Sequence, residues 1–264
     1  MPRLDSTRYT VLFATAVSVV CALLVATAAV GLRDRQEANA RLYKQKNVLL
    51  AAGLLQPGEA ASAGEVQAIF DKRIHVRAVD LKTGRLVPED QFDAASYDQR
   101  KARNDPAQSR PAPANDAQVA RVPIRGVVYQ VAAPDGAVEQ IVLPIEGMGM
   151  WGTVYGFLAM DRDGNTVRGL TFYEQKETPG LGGEIANPSW QALWVGRKAY
   201  GADGTPQLAV IKGQAGPPAE DPHHVDGLSG ATITSRGITR VVRFWLSADG
   251  YAPYLQSLAP GARS

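Results

Sequence analysis

Three hydroxyl side chains lie close together near the end of the chain, behind a run of small residues. The segment reads Asp226-Gly-Leu-Ser-Gly-Ala-Thr232-Ile-Thr234-Ser235 and leads into a predicted helix. Small residues at 229–231 let a phosphate approach the backbone, and the N–H groups and positive dipole end of a helix bind such an anion. The same residues are typical of an ordinary Ser/Thr helix cap. The segment alone therefore leaves phosphate binding and helix capping open.

Three other patterns predict less chemistry. Residues 161–165 begin like a calcium loop, but the sequence lacks the required Gly and Glu further on, which favours a hairpin turn. Adjacent side chains such as His223 and His224 rarely converge on one metal ion, so loop polarity is the better interpretation. Residues 227–231 resemble a nucleophile elbow, yet no apolar strand precedes them and no His follows them.

The composition excludes several classes of protein. The 264 residues include 28 Lys and Arg against 26 Asp and Glu. A net charge of +2 does not indicate the clustered basic face that binds nucleic acid. One Cys and three His rule out a disulfide framework, an iron–sulfur cluster and a Cys-based zinc site. Any redox chemistry therefore requires a cofactor.

A long apolar run near the N-terminus predicts a membrane helix. Residues 9–32 carry no charge, and a helix of this length covers about 36 Å, enough to cross a hydrocarbon core of about 30 Å. A cleaved signal peptide is the alternative, since Ala26-Thr27-Ala28 resembles a cleavage site, but its apolar core would be shorter. The positive charges after the run place the large domain in the cytoplasm, although this rule weakens for long translocated domains. The sequence predicts an anchor and leaves its orientation open.

The rest of the chain alternates helical and β patterns, which predicts an α+β domain. Residues 36–55 continue the helix, Ser62 and Glu65 have capping-box spacing before a short helix, and residues 76–86 fit a strand, turn and strand. Residues 98–116 lack large apolar side chains and contain three prolines, which is typical of a solvated loop or linker. Further strands are predicted at 127–132, 138–145, 154–160, 167–173 and 208–211, and a final helix at 235–246.

The segment Asp226-Gly-Leu228-Ser229-Gly230-Ala231-Thr232 resembles the flavinylation motif of proteins that carry covalent FMN. The resemblance implies a phosphoester bond between FMN and Thr232, formed by a separate flavin transferase that uses FAD and Mg²⁺. It also implies that Asp226 serves recognition by the transferase or deprotonation of Thr232. An unactivated Thr is a weak nucleophile, so dependence on an outside enzyme is physically reasonable.

Four further stretches, at 79–84, 147–159, 174–183 and 187–190, are similar to the C subunit of the Na⁺-translocating NADH:quinone reductase. This resemblance implies a membrane-anchored flavoprotein subunit that relays electrons among the other subunits of the complex. It implies a domain in the periplasm, at the bacterial inner membrane, against the charge count. No dinucleotide-binding fingerprint follows a strand, which agrees with electrons arriving from a partner. The alternatives are the G-type subunit of the related ferredoxin:NAD complex and a non-redox periplasmic interaction domain.

Several residues in these stretches suit a flavin, whose flat apolar ring has a polar edge. Trp151 and Leu181 would supply apolar walls, Glu177 or Thr178 would meet the polar edge, and Lys212 would offset negative charge. The Pro-Gly turn would expose backbone N–H groups. The predicted cofactor site comprises Trp151, Glu177, Thr178, Leu181, Gly182, Lys212, Leu228, Ser229, Gly230, Ala231 and Thr232, with Asp226 in the flavinylation motif.

The predicted organisation is a single N-terminal transmembrane helix followed by a mixed α/β extramembrane domain that binds FMN. The divisions are a cytoplasmic N-terminus (1–8), the span (9–32), a helical stalk with the first part of the domain (33–120), the FMN-binding domain (121–250) and a C-terminal tail (251–264).

Overall fold

The first unit of the chain is a long apolar helix. The computed structural model describes residues 6–258, so the outermost parts of the predicted N-terminus and C-terminal tail lie outside the described residues. Helix α1, Thr7–Ala51, carries the uncharged run, and the apolar side chains of that run are exposed. By length and composition, α1 is able to cross a membrane, with a mean hydropathy of 2.5 over its most apolar window. It therefore fits the predicted single-pass anchor.

The second unit begins at Gln45, within α1. In this part of α1 some apolar side chains are buried instead of exposed, since Val48 and Leu49 are fully buried. Burial of such a side chain contributes about 1.5–3 kcal/mol, so the last turns of α1 are part of a folded core. Helix α2, Ala63–Arg73, follows and starts with the predicted capping box, in which Ser62 and Glu65 bond to each other's backbone N–H groups.

An antiparallel five-stranded sheet forms the centre of this unit. Its strands are β1 Ile74–Asp80, β4 Arg125–Ala132, β5 Val138–Met148, β6 Thr153–Asp161 and β7 Val167–Glu174. They lie side by side in the order β1-β4-β5-β6-β7, and each strand from β4 to β7 covers one of the predicted strands. The turn between β6 and β7 is the predicted hairpin, in which the Asp163 carboxylate accepts hydrogen bonds from two backbone N–H groups.

Helices cover both faces of the sheet. On one face, helix α5, Thr232–Trp245, packs against β5 so closely that a Cβ at Gly147 would overlap Val241. The Trp245 indole there donates to the Glu146 carbonyl at 2.6 Å. On the opposite face, α2 contributes Phe70, whose ring meets Tyr129 edge-on at 6.2 Å. The domain is thus a three-layer α/β arrangement with one core on each side of the sheet.

The structure differs from the prediction in two segments. Residues 98–116 are not simply a solvated linker: they contain helix α3, Gln99–Asn104, and strand β2, Ser109–Pro111, which pairs with β3, Arg121–Pro123. The Gln99 side chain is buried and accepts a hydrogen bond from the Val127 N–H at 2.6 Å. The segment predicted as a tail includes helix α6, Ala252–Leu258, which buries Tyr254. In both segments, long-range contacts order residues whose local pattern is weak.

Short elements between β7 and α5 carry the loops that matter for function. They are a 3₁₀ helix at Gly182–Ala186, helix α4 at Pro188–Ala192, strand β8 at Ala209–Val210 and strand β9 at His224–Val225, which pairs parallel with β8. Strand β8 is held to α5 because the Thr239 hydroxyl accepts from the Val210 N–H at 2.9 Å. These contacts fix the loops around the start of α5.

Candidate functional site

The three hydroxyls at the start of α5 have different surroundings. Thr234 is buried and donates a hydrogen bond to the Glu177 carboxylate. Ser235 is buried and accepts from the Leu228 N–H at 3.2 Å. Thr232 is exposed, and its hydroxyl has no hydrogen-bond partner among residues 6–258. Of these three hydroxyls, only Thr232 is free to form a new bond.

The N-terminus of α5 lacks a side-chain cap. Its N-cap residue is Ala231, which has no polar side chain, and no side-chain cap hydrogen bond is found there among the described residues. Thr232 lies inside the first turn, so the ordinary Thr-cap interpretation is wrong for this residue. The preceding Gly230 has a positive φ of 69°, and a Cβ there would come within 2.9 Å of Leu181. Glycine is therefore required for the chain to enter α5 at this angle.

A cleft of about 590 Å³ opens beside Thr232. The cleft is lined by Lys212, Asp226, Leu228, Ser229, Thr232 and Arg236, among others. Six of the residues predicted for the cofactor site and the flavinylation motif therefore lie together in this cleft: Lys212, Asp226, Leu228, Ser229, Gly230 and Thr232. Arg236 was not among the predicted site residues, although its position four residues after Thr232 on a helix is a signal that was available.

Asp226 holds one wall of this cleft in place. Its carboxylate accepts a hydrogen bond from the Ala215 N–H at 2.9 Å, and its carbonyl accepts one from the Trp190 indole at 2.9 Å. The Gly227 N–H donates to the Gly213 carbonyl at 2.8 Å. The motif segment and the loop that carries Lys212 are consequently tied together by side-chain and backbone bonds. The predicted role of Asp226 in flavin transfer thus comes in addition to a structural one.

Glu177 connects the segment after β5 with the start of α5. Its carboxylate is buried, and one oxygen accepts from the N–H groups of Met150 and Trp151, both at 2.9 Å. The other oxygen accepts from the Thr234 hydroxyl. A Cβ at Gly182 would lie 2.8 Å from that oxygen, so this glycine leaves room for the carboxylate. The structure gives Glu177 a positioning function, and its predicted contact with the polar edge of a flavin stays a prediction.

Exposed apolar side chains adjoin the start of α5. Trp151 is 63% exposed and Leu181 is 44% exposed, which is unusual for residues of this size. Ile233, next to Thr232, is 57% exposed and was not predicted as a site residue. Thr178 is also exposed, and its carbonyl accepts from the Leu181 and Gly183 N–H groups, which closes the Pro-Gly turn. These side chains are available to a ligand with an apolar ring.

The comparisons with known proteins first define the class. Residues 149–247 match the family described as FMN-binding domain, a range that runs from the segment held by Glu177 through α5. Together with α1, the one helix within residues 6–258 that is long and apolar enough to cross a membrane, this match defines an α+β flavoprotein with an N-terminal membrane-type helix and a domain that binds FMN.

Relatives over nearly the whole length then define the particular family. The chain is 45% identical over 259 residues to the C subunit of the Na(+)-translocating NADH-quinone reductase of Vibrio anguillarum, covering 97% of each protein. It is 44% identical over 264 residues to the corresponding subunit of Pseudomonas aeruginosa, covering 99% of each. The protein belongs to the family formed by the C subunits of the Na⁺-translocating NADH-quinone reductase. This confirms the predicted family over the G-type alternative.

Solved structures agree with this assignment. The crystal structure of Shewanella oneidensis NqrC is similar with a TM-score of 0.76 and 30% identity, covering 84% of this chain and 98% of that one. The crystal structure of the C subunit from Parabacteroides distasonis gives a TM-score of 0.66 and 27% identity, covering 86% and 98%. The predicted fold class is confirmed.

Proposed function

We propose that this protein is the membrane-anchored flavoprotein subunit of a Na⁺-translocating NADH:quinone reductase, and that it relays electrons through FMN attached to Thr232 by a phosphoester bond. The other subunits of the complex deliver and accept the electrons. A separate flavin transferase attaches the cofactor. Bound FMN supplies one- and two-electron redox chemistry, and the chain supplies the attachment point and the walls of the site.

The observation that carries this proposal is the free, exposed hydroxyl of Thr232 at an uncapped helix N-terminus. Thr234 and Ser235 are engaged in buried hydrogen bonds, so modification of either would break the fold locally. The uncapped N–H groups of α5 favour an anion near Thr232, because the helix dipole is positive at this end. Lys212 and Arg236 line the same cleft and add positive charge.

Attachment is a transfer of FMN from FAD. The Thr232 hydroxyl loses its proton and forms a bond to the phosphorus next to the flavin, while the phosphoanhydride bond of FAD breaks and AMP leaves. The products are the Thr232 phosphodiester, AMP and a proton, so the step is balanced. Thr232 has no base bonded to its hydroxyl among the described residues, which agrees with activation by a separate enzyme.

Intact-mass spectrometry tests the attachment. Coexpression of the full chain with a flavin transferase should add the mass of one FMN less one water, and omission of the transferase should abolish the gain. Thr232→Leu should abolish both the gain and the in-gel flavin fluorescence. Ser189→Ala is the matched control, because Ser189 is an exposed hydroxyl at the start of helix α4, outside the cleft, and should be dispensable. Unchanged flavin content in Thr232→Leu would show that the attachment site is wrong.

Rapid-mixing spectroscopy of the assembled complex tests the relay. Complex with Thr232→Leu should lack one flavin signal and should reduce quinone more slowly than wild type. Complex with Ser189→Ala should behave as wild type. If Thr232→Leu lacks the flavin and quinone reduction keeps its rate, the electrons do not pass through this subunit.

The proposal also places α1 in the bacterial inner membrane and the domain in the periplasm. In a Cys21→Ser background, Ala219→Cys adds a thiol at an exposed position of the domain, and Ser6→Cys adds one before the span. A membrane-impermeant maleimide should label position 219 in intact spheroplasts, and position 6 only after permeabilisation. The reverse pattern would place the domain in the cytoplasm.

A further inference from the structure

Arg236 is a cation without an ion-pair partner at the proposed attachment site. It lies one helical turn after Thr232 on α5 and lines the same cleft. Its side chain is exposed, and within residues 6–258 it forms no salt bridge. Asp226, the acidic group of this cleft, already accepts a hydrogen bond from the Ala215 N–H. The charge of Arg236 is therefore available to a ligand.

Helix geometry directs Arg236 toward Thr232. Residues four apart on a helix have Cβ atoms about 5–6 Å apart on the same face. Helical side chains also lean toward the N-terminus, so a residue covers the turn before its own Cα. The direction of its Cα–Cβ bond therefore points the Arg236 side chain toward the turn that starts with Thr232, in the cleft that both residues line.

The other basic residues of α5 are placed differently. Arg243 donates to the carbonyl groups of Leu208 and Gln207, at 2.8 and 2.9 Å, and so holds the segment before β8. Arg240 is exposed and, among the described residues, also forms no salt bridge, but it lies one turn beyond Arg236 and leans toward that residue. Arg240 matches Arg236 in residue type, exposure and helix face, and differs in its distance from Thr232.

We propose that Arg236 binds the phosphodiester that links FMN to Thr232, through charge-assisted hydrogen bonds to its unesterified oxygens. This inference rests on the proposed attachment at Thr232. The phosphodiester carries one negative charge, and the planar fork of a guanidinium matches two phosphate oxygens. Lys212 lines the same cleft and contributes a point charge, but its flexible ammonium orients the group less strictly than a guanidinium does.

A thermodynamic cycle that combines substitution with FMN loading, on the full chain in detergent, tests the proposal. Wild type, Arg236→Gln and Arg240→Gln are each prepared with and without FMN by coexpression with or without the transferase, and intact mass confirms loading. For each variant, the melting temperature of the unloaded form is subtracted from that of the loaded form. Effects of the substitution on the protein itself cancel in this difference.

We expect attachment to raise the melting temperature by about 0.5–4 °C less in Arg236→Gln than in wild type, which is the effect of losing one exposed charge pair in a domain of this size. Arg240→Gln should match wild type. In 1 M salt, where the Debye length falls from about 10 Å to about 3 Å, the deficit of Arg236→Gln should shrink.

Two different failures are distinguishable in this experiment. If loading with FMN raises the melting temperature equally in wild type, Arg236→Gln and Arg240→Gln, the assignment of Arg236 is overturned and the attachment at Thr232 stays intact. A larger deficit in Arg240→Gln than in Arg236→Gln would also overturn it. The absence of an FMN mass gain in every chain coexpressed with the transferase would instead refute the proposed attachment itself.

Discussion

Removal of the Glu177 carboxylate should release the segment at Met150 and Trp151 from the start of α5. Glu177 is 4% exposed and accepts three hydrogen bonds, from two backbone N–H groups and the Thr234 hydroxyl. Glu177→Ala leaves all three donors without their acceptor. Glu177→Gln keeps an oxygen for the two N–H groups and offers its amide to the hydroxyl, so it removes mainly the charge.

The expected magnitudes follow from these partners. A hydrogen bond to a charged group contributes about 1.5–3 kcal/mol. A buried donor that loses its acceptor also destabilises the fold by the free energy of its desolvation. The N–H groups of Met150 and Trp151 lie in a partly exposed segment where water replaces some of the loss. We therefore expect Glu177→Ala to lower the free energy of unfolding by about 3–5 kcal/mol and Glu177→Gln by about 1–2 kcal/mol.

Urea unfolding of the full chain in mild detergent, followed by tryptophan fluorescence, measures these differences. Hydrogen exchange of residues 149–152 should report local opening in Glu177→Ala before global unfolding. Glu174→Gln is the matched control, because Glu174 is about half exposed and its ion pair with Arg100 contributes less than about 1 kcal/mol. If Glu177→Ala and Glu174→Gln unfold at the same urea concentration, Glu177 does not connect the two segments as argued.

Three further predictions concern the framework around the sheet. Arg103→Met leaves the Glu146 carboxylate, whose pKa is raised by burial, without its cation. The free energy of unfolding at pH 7 should fall by about 3–5 kcal/mol. This loss should become smaller in acid, because Glu146 then binds a proton. Hydrogen bonding from Arg100 lowers the pKa of Glu174, so the stabilisation from this ion pair exists above the ordinary pKa of 4.5 and is lost as the pH falls. The difference between the urea curves of wild type and Arg100→Gln should therefore shrink as the pH falls below 4.5. Ser62→Ala should cost about 1 kcal/mol by the same assay, since it removes the cap of α2, and an unchanged midpoint would contradict the capping box.

Local patterns were sufficient to predict the elements whose stability is locally encoded. Alternating apolar residues predicted the four strands from β4 to β7, because each strand presents one side to each core. The capping box predicted α2, since Ser62 and Glu65 satisfy each other within one turn. The start of α5 was predicted three residues late, at Ser235, because the hydroxyls of Thr232 and Thr234 are typical of residues at or before a helix cap, whereas the N-cap residue is Ala231.

The remaining features depend on partners far away in the sequence. Helix α3 has few apolar residues, and its Gln99 side chain is bonded to β4 while Arg103 is paired with Glu146 on β5. Helix α6 is anchored by Tyr254, whose hydroxyl accepts from Gln130 at 3.0 Å. No periodicity within residues 98–116 or 251–258 encodes such contacts. For the same reason, the sequence could not predict the hydrogen bonds of Glu177 to Trp151 and Thr234, which arise only when three segments meet.

The difference between the bonded and the free hydroxyls at the start of α5 has a consequence for the order of events in biosynthesis. Thr234 and Ser235 complete the internal bonds of the domain, and Thr232 takes no part in them. If FMN is attached at Thr232 as proposed, the internal hydrogen bonds of the domain do not depend on the cofactor. Folding would then precede flavin transfer, and a shortage of flavin would leave folded protein that lacks FMN rather than misfolded chains.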